Sequence, residues 1–177
     1  MTFSIRHGVP DDARALAALH ARSWRASYAP YVSAAALGAP LDANMRARWS
    51  NWPADRLILL AERGDAVLGF AAVERGAVPL LDNLHVDPDA RSGGIGAALL
   101  RGVAACLATE GAASLRLIVI ADNVRACAFY ARMGGQASAS VRDTLLGEPI
   151  RMTPFRWSGT AFAALAAEFG GLSGKDA

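Results

Sequence analysis

Residues 89 to 100 read DARSGGIGAALL, a glycine cluster that opens an apolar run with helical spacing. Successive backbone N–H groups at a helix N-terminus can hold one anion, and phosphate is the usual guest. Gly93, Gly94 and Gly96 permit positive φ and leave no Cβ in the way of phosphate oxygens. Arg91 adds positive charge at the rim. The same glycines could serve only as a tight strand-to-helix turn, so the cluster alone is a weak signal. A dinucleotide fingerprint, G-x-G-x-x-G straight off a strand, fits less well. Gly94-Ile95-Gly96 supplies the first pair, but Leu99 stands at the third position and Pro88 interrupts the approach. The spacing therefore favours a diphosphate over a full dinucleotide.

The elements around this loop read as follows. Residues 80 to 86, LLDNLHV, form a strand that leads into it, and a helix follows from about Ile95 to Thr109. Residues 114 to 121, SLRLIVIA, are a nearly continuous apolar run, like a strand buried on both faces. Asp122 or Asn123 caps a helix that runs to Met133, with Gly134 as its stop. Upstream, a short strand (FSIRHG) and a helix starting at PDD are followed by one or two short helices in 33 to 52, with Pro40 between them. Leu16, Leu19, Trp24 and His20 form the first helix's apolar stripe. RLILLAE and AVLGFAAVE, joined by RGD, make a hairpin. QASASVR and IRMTPFRW make a last antiparallel pair, in which Pro154 requires an edge or a bulge. Only strand 80–86, helix 95–109 and strand 114–121 form a parallel crossover. The expected fold is α/β (α+β): a mixed, mostly antiparallel sheet of six to seven strands flanked by about four helices. Residues 1–157 are expected to form one domain. Residues 158–177 are expected to form a tail with a short helix and a frayed end.

The totals restrict the chemistry. The chain has 177 residues, 53% of them hydrophobic, and a net charge of +2. That is a globular composition, with no basic block for nucleic acid and no apolar stretch long enough for a bilayer. Lys175, in a polar tail, is the only lysine, which argues against Schiff-base chemistry. Cys106 and Cys127, with His7, His20 and His85, show no metal-ligand spacing. The N-terminus lacks a signal-peptide pattern. We expect a reduced, cytoplasmic chain without a metal, a nucleic-acid partner or a membrane contact.

Two separated stretches, LDNLHVDPDARSGGIGAALL and ADNVRACAFYARMGG, together resemble the GCN5-related N-acetyltransferases (GNAT). The family's (Gln/Arg)-x-x-Gly-x-(Gly/Ala) signature is met by Arg91, Gly94 and Gly96. Leu84, Val86 and Pro88 match its Leu-x-Val-x-Pro strand ending. Asn123, Ala126, Phe129, Tyr130 and Gly134 match its downstream helix. The resemblance covers roughly residues 3 to 156. Gly135 stands where the family often has an aromatic, which loosens the packing there. Leu80 stands where the strand commonly carries a glutamate.

The resemblance implies acetyl transfer from acetyl-CoA to a primary amine by direct attack in a ternary complex. Pantetheine would pair with the strand at Leu84, His85 and Val86, and the amide N–H near Leu84 would steady the developing oxyanion. The diphosphate would sit on Arg91, Ser92, Gly93, Gly94, Ile95, Gly96 and Ala97, and Asn123 would bond the pantetheine arm. Tyr130 would contact the cofactor and act as general acid. Asp82, on the face of Leu80, would act as base through a water. Glu74 and His85 are weaker candidates, His85 being expected on the opposite face. Trp24, Tyr28, Tyr31 and Asp82 would line the acceptor pocket. Arg125 and Arg132 would meet the 3′-phosphate or simply face solvent. A small-molecule acceptor is preferred, because no acidic stripe that would attract a basic peptide is visible. The alternatives are a protein N-terminal or lysine acceptor, and a non-catalytic acyl-CoA sensor. A homodimer is compatible with the resemblance.

Overall fold

The computed structural model describes residues 2–53 and 55–172. In chain order the elements are β1 (Ser4–His7), α1 (Ala13–Tyr28), α2 (Ala39–Ser50), β2 (Leu57–Arg63), β3 (Ala66–Glu74), β4 (Leu80–Val86) and α3 (Ile95–Thr109). They continue with β5 (Ser114–Ile120), α4 (Val124–Arg132), β6 (Gln136–Ala137), β7 (Val141–Leu145), β8 (Glu148–Ser158) and α5 (Gly159–Ala167). The eight strands form one sheet in the order β1-β2-β3-β4-β5-β8-β6, with β7 also beside β8. β4 and β5 pair in parallel, and the other pairs are antiparallel. The expected mixed sheet with a single crossover is what the chain forms, with one more strand and one more helix than anticipated.

A hydrophobic core lies on each face of the sheet. On one face, Leu16 and Leu19 of α1 and Leu41, Met45 and Trp49 of α2 pack on Leu60 and Phe70. On the other, Leu99, Leu100 and Val103 of α3 pack on Leu59, Leu115 and Trp157, joined by Phe162 and Leu165 of α5. Leu81 of β4 and Leu115 and Leu117 of β5 are buried in this second core, which anchors both strands beside the site.

Local departures from the sequence reading have identifiable causes. Residues 39 to 50 are one helix with Pro40 in its first turn, where a missing N–H costs nothing. QASASVR divides into β6 and the start of β7, because residues 138–140 leave the ladder opposite Pro154. The Ser138 amide donates to the Pro154 carbonyl there (2.9 Å), so this interior proline stands at a break, as its chemistry requires. The helix expected in the tail is α5, docked on α3 through its buried Phe162 and Leu165. Of the expected frayed end, residues 173–177 lie outside the described residues.

Gly135 does not loosen its surroundings. Trp157 fills the space, so that a Cβ at Gly135 would lie 2.6 Å from its ring. Trp157 is fully buried, and its Nε1–H donates to the Met133 carbonyl (2.8 Å). The space beside Gly135 is thus filled from β8.

Candidate active site

The site begins with a one-residue irregularity in β4. Ala72 pairs with Asn83 and Val73 with Leu81, which leaves Asp82 as an extra residue. Such a bulge bends a strand and increases its twist. β4 and β5 share a single bridge, Leu80 to Arg116, and then diverge. The divergence opens a cleft of about 720 Å³ whose walls are residues of β4 and β5. It also explains why β5 is not buried on both faces: Ile118 is 44% exposed and lines the cleft.

The backbone of β4 is thereby half free. The Asp87 amide donates to the Leu68 carbonyl (2.8 Å). Antiparallel alternation then turns the main-chain groups of Asn83 and His85 toward β3, and those of Leu84 and Val86 toward the cleft. An extended ligand arm can add there as a strand.

The free edge leads into the glycine loop. Ser92 (φ 67°) and Gly94 (φ 79°) take the left-handed conformation, whereas Gly93 does not. A Cβ on Gly94 would meet nothing within 4 Å, so its surface is open. Gly96 instead lies against Phe129 and Val86, which would contact a Cβ there at 3.5 and 3.7 Å. The loop glycines therefore divide between an open anion cradle and helix packing. Arg91, Ser92, Gly94, Ile95, Gly96 and Ala97 line the cleft. The Arg91 guanidinium donates to Ser27 Oγ (3.0 Å). Burial and neighbouring Arg125 lower its pKa, so a dianion between them would relieve both. Arg125 and Arg132 also line the cleft, with exposed side chains.

Tyr130 stands on the far wall. Its ring packs against Phe129, Phe155 and Trp157 with centroid distances of 5.2, 5.7 and 6.1 Å. Burial pushes its phenol above the usual range, so it holds its proton at neutral pH. Asn123 Oδ1 caps α4 by accepting from the Ala126 amide (3.1 Å), which leaves its Nδ2 for the cleft it lines.

A second cavity of about 270 Å³ adjoins the first, and Tyr28, Asp82 and His85 line both. The bulge decides which side chains reach it. Leu81, Leu84 and Val86 pack with the α3 core, while Asp82, Asn83 and His85 all line the smaller cavity. His85 is thus on the face of Asp82, not opposite to it, because the extra residue breaks the alternation. Its backbone stays in the β3 ladder and its ring reaches the cleft. Asp82 Oδ2 receives Arg48, Arg56 Nη1 (2.9 Å) and Asn83 Nδ2 (2.7 Å). Its Oδ1 is the oxygen left for a water or an amine. Glu74 is engaged by Arg56. His85 Nδ1 lies 3.0 Å from Ser23 Oγ, and burial pushes its pKa down to about 3. It is too weak a base for neutral pH.

Trp24 and Tyr28, 4.7 Å apart, wall the smaller cavity. Tyr31 does not line it; its hydroxyl donates to the Asp122 carbonyl (3.0 Å), bridging from the loop after α1 to the end of β5. Arg48 and Arg56 have no motif spacing and are brought here by tertiary structure alone, whereas Asn83 and Ser23 adjoin Asp82 and Trp24 in sequence. Among the described residues, no cluster of three or more His, Cys, Asp or Glu could hold a metal, and no helix is long and apolar enough to cross a membrane.

A split parallel strand pair, a free strand edge and an open glycine loop at its end form a cleft suited to an extended ligand with an anionic group at one end. The profile of the Acetyltransferase (GNAT) family matches residues 16–135. An uncharacterized N-acetyltransferase of Mycobacterium tuberculosis is 34% identical over 128 residues, covering 70% of this chain and 82% of that protein. A GCN5-related N-acetyltransferase from Rhodopseudomonas palustris superposes with a TM-score of 0.74 at 24% identity, over 89% of this chain and 96% of the other. The PaiA N-acetyltransferase of Thermoplasma acidophilum, solved with coenzyme A, gives 0.71 at 22% identity, over 86% and 98%. The chain belongs to the GNAT acetyltransferase family and is an N-acetyltransferase.

Proposed function

We propose that this enzyme transfers acetyl from acetyl-CoA, held in the β4–β5 cleft, directly to the primary amine of a small molecule, within one domain that includes α5. The observation that carries the reading is the free β4 edge at Leu84 and Val86, running into the open loop at Gly94 with Tyr130 across the cleft. Acetyl-CoA supplies the thioester. The backbone amides from Ser92 to Gly96, with Ala97 and Arg91, hold the diphosphate, and Asn123 Nδ2 bonds the arm. The Leu84 N–H donates to the carbonyl oxygen as charge gathers on it. Asp82 Oδ1 draws a proton from the amine through a water, and Tyr130 gives its proton to the departing sulfur.

Two contacts support a small acceptor. The Tyr31–Asp122 hydrogen bond joins the α1 side to the β5 side. Leu145, at the end of β7, packs against the α1 and α2 core. Both contacts tie the α1 side to strands beyond the cleft, and Leu145 itself lines the cleft.

Thiol release from acetyl-CoA across a panel of small amines and short peptides tests the reading. Turnover is expected with small amines. Turnover with peptides alone would remove the small-molecule acceptor. Asp82→Asn is expected to lower kcat/KM at pH 7 by about 10²-fold. The deficit shrinks as pH rises, because the amine increasingly loses its proton unaided. A pH–rate profile identical to wild type would reject Asp82 as the base.

A further inference from the structure

We propose that the acceptor is an amino acid-like zwitterion, its amine at Asp82 and a carboxylate on Arg48 and His20. This rests on the small-molecule reading above and narrows it.

The amine must sit where the two cavities meet, beside β4 and the thioester. Tyr28, Asp82 and His85 mark that seam. The rest of the acceptor then occupies the smaller cavity. Among that cavity's lining residues, Asp82 is the one carboxylate and Arg48 the one arginine, and the two touch. An ammonium and a carboxylate a few ångströms apart present the same two charges in the reverse sense. Arg48 spends Nη2 on Asp82. Its side chain is 42% exposed, so its remaining N–H groups can fork onto a ligand carboxylate.

His20 adds an independent sign. The Trp49 indole N–H donates to its Nδ1 (3.1 Å). That fixes the neutral ring's proton on Nε2. Nε2 is buried without a partner, although buried donors are nearly always satisfied. The ring lines the smaller cavity, and Arg48 is near enough to lower its pKa. A carboxylate brings two oxygens to that cavity, one for the free Arg48 N–H groups and one for the side where the His20 ring lies. A plain alkylamine would leave these donors unused, and a diamine would set a second cation against Arg48. Trp24 and Tyr28 offer an apolar wall for the acceptor's side chain.

The test compares matched acceptors by thiol release: leucine with isoamylamine, phenylalanine with phenethylamine, leucine with leucinamide, and putrescine as the diamine. The amino acids are expected to exceed their decarboxylated partners in kcat/KM by about tenfold or more. Arg48→Gln should collapse that ratio, chiefly through the amino acid KM, and Arg48→Lys should restore part of it. Equal or better use of the decarboxylated amines or the diamine overturns the proposal while leaving the small-molecule reading in place. So does an unchanged ratio in Arg48→Gln. Turnover confined to peptides overturns both.

Discussion

Tyr130→Phe is expected to lower kcat by about 10²–10³-fold with little change in acetyl-CoA affinity. The substitution removes one oxygen and keeps the ring. That ring is held by Phe129, Phe155 and Trp157, so the wall of the cleft stays in place. What is lost is a proton donor on the cleft wall. Thiolate must then depart unprotonated or wait for water, which slows the chemical step and not the binding step. Stopped-flow thiol detection, with calorimetric titration of acetyl-CoA, separates the two. An unchanged kcat would make Tyr130 a packing residue only.

Leu84→Pro is expected to lower kcat/KM by about 10²–10³-fold, whereas Leu84→Ala stays far closer to wild type. The contrast isolates a backbone atom. The Leu84 N–H faces the cleft, so proline there breaks no bond to β3. It removes the amide that would donate to the carbonyl oxygen, and its ring obstructs strand addition. Alanine keeps the N–H and loses only side-chain packing against the α3 core. Both variants should be checked by circular dichroism for an intact sheet. If the two lose activity equally, the Leu84 amide has no part in the reaction.

The elements that hold the carrier were legible because their chemistry is local. LLDNLHV, the Gly94 loop and the helix from Ile95 to Thr109 lie within thirty positions or so of one another in the chain, and periodicity and glycine placement mark them. The bulge at Asp82 was not legible. It depends on how β3 and β4 align, and LLDNLHV alone carries no sign of an extra residue. Yet that residue splits β4 from β5, exposes Ile118 and moves His85 onto the face of Asp82. Arg48 and Arg56 were missed for a similar reason, since only the fold brings α2 and the start of β2 to Asp82. That Trp157 fills the space beside Gly135 is visible only once β8 is seen beside the end of α4. At Ser92, the left-handed conformation falls on a residue whose type gave no hint of it.

The central claim is direct transfer within one cleft. Neither Cys106 nor Cys127 is among the residues that line that cleft. The measurement that tests the claim most directly is an initial-rate study varying acetyl-CoA and the preferred amine together, with intact-protein mass spectrometry after acetyl-CoA alone. Intersecting double-reciprocal lines and an unmodified protein are predicted. Parallel lines, with an acetyl group on the protein before any amine is added, would contradict it.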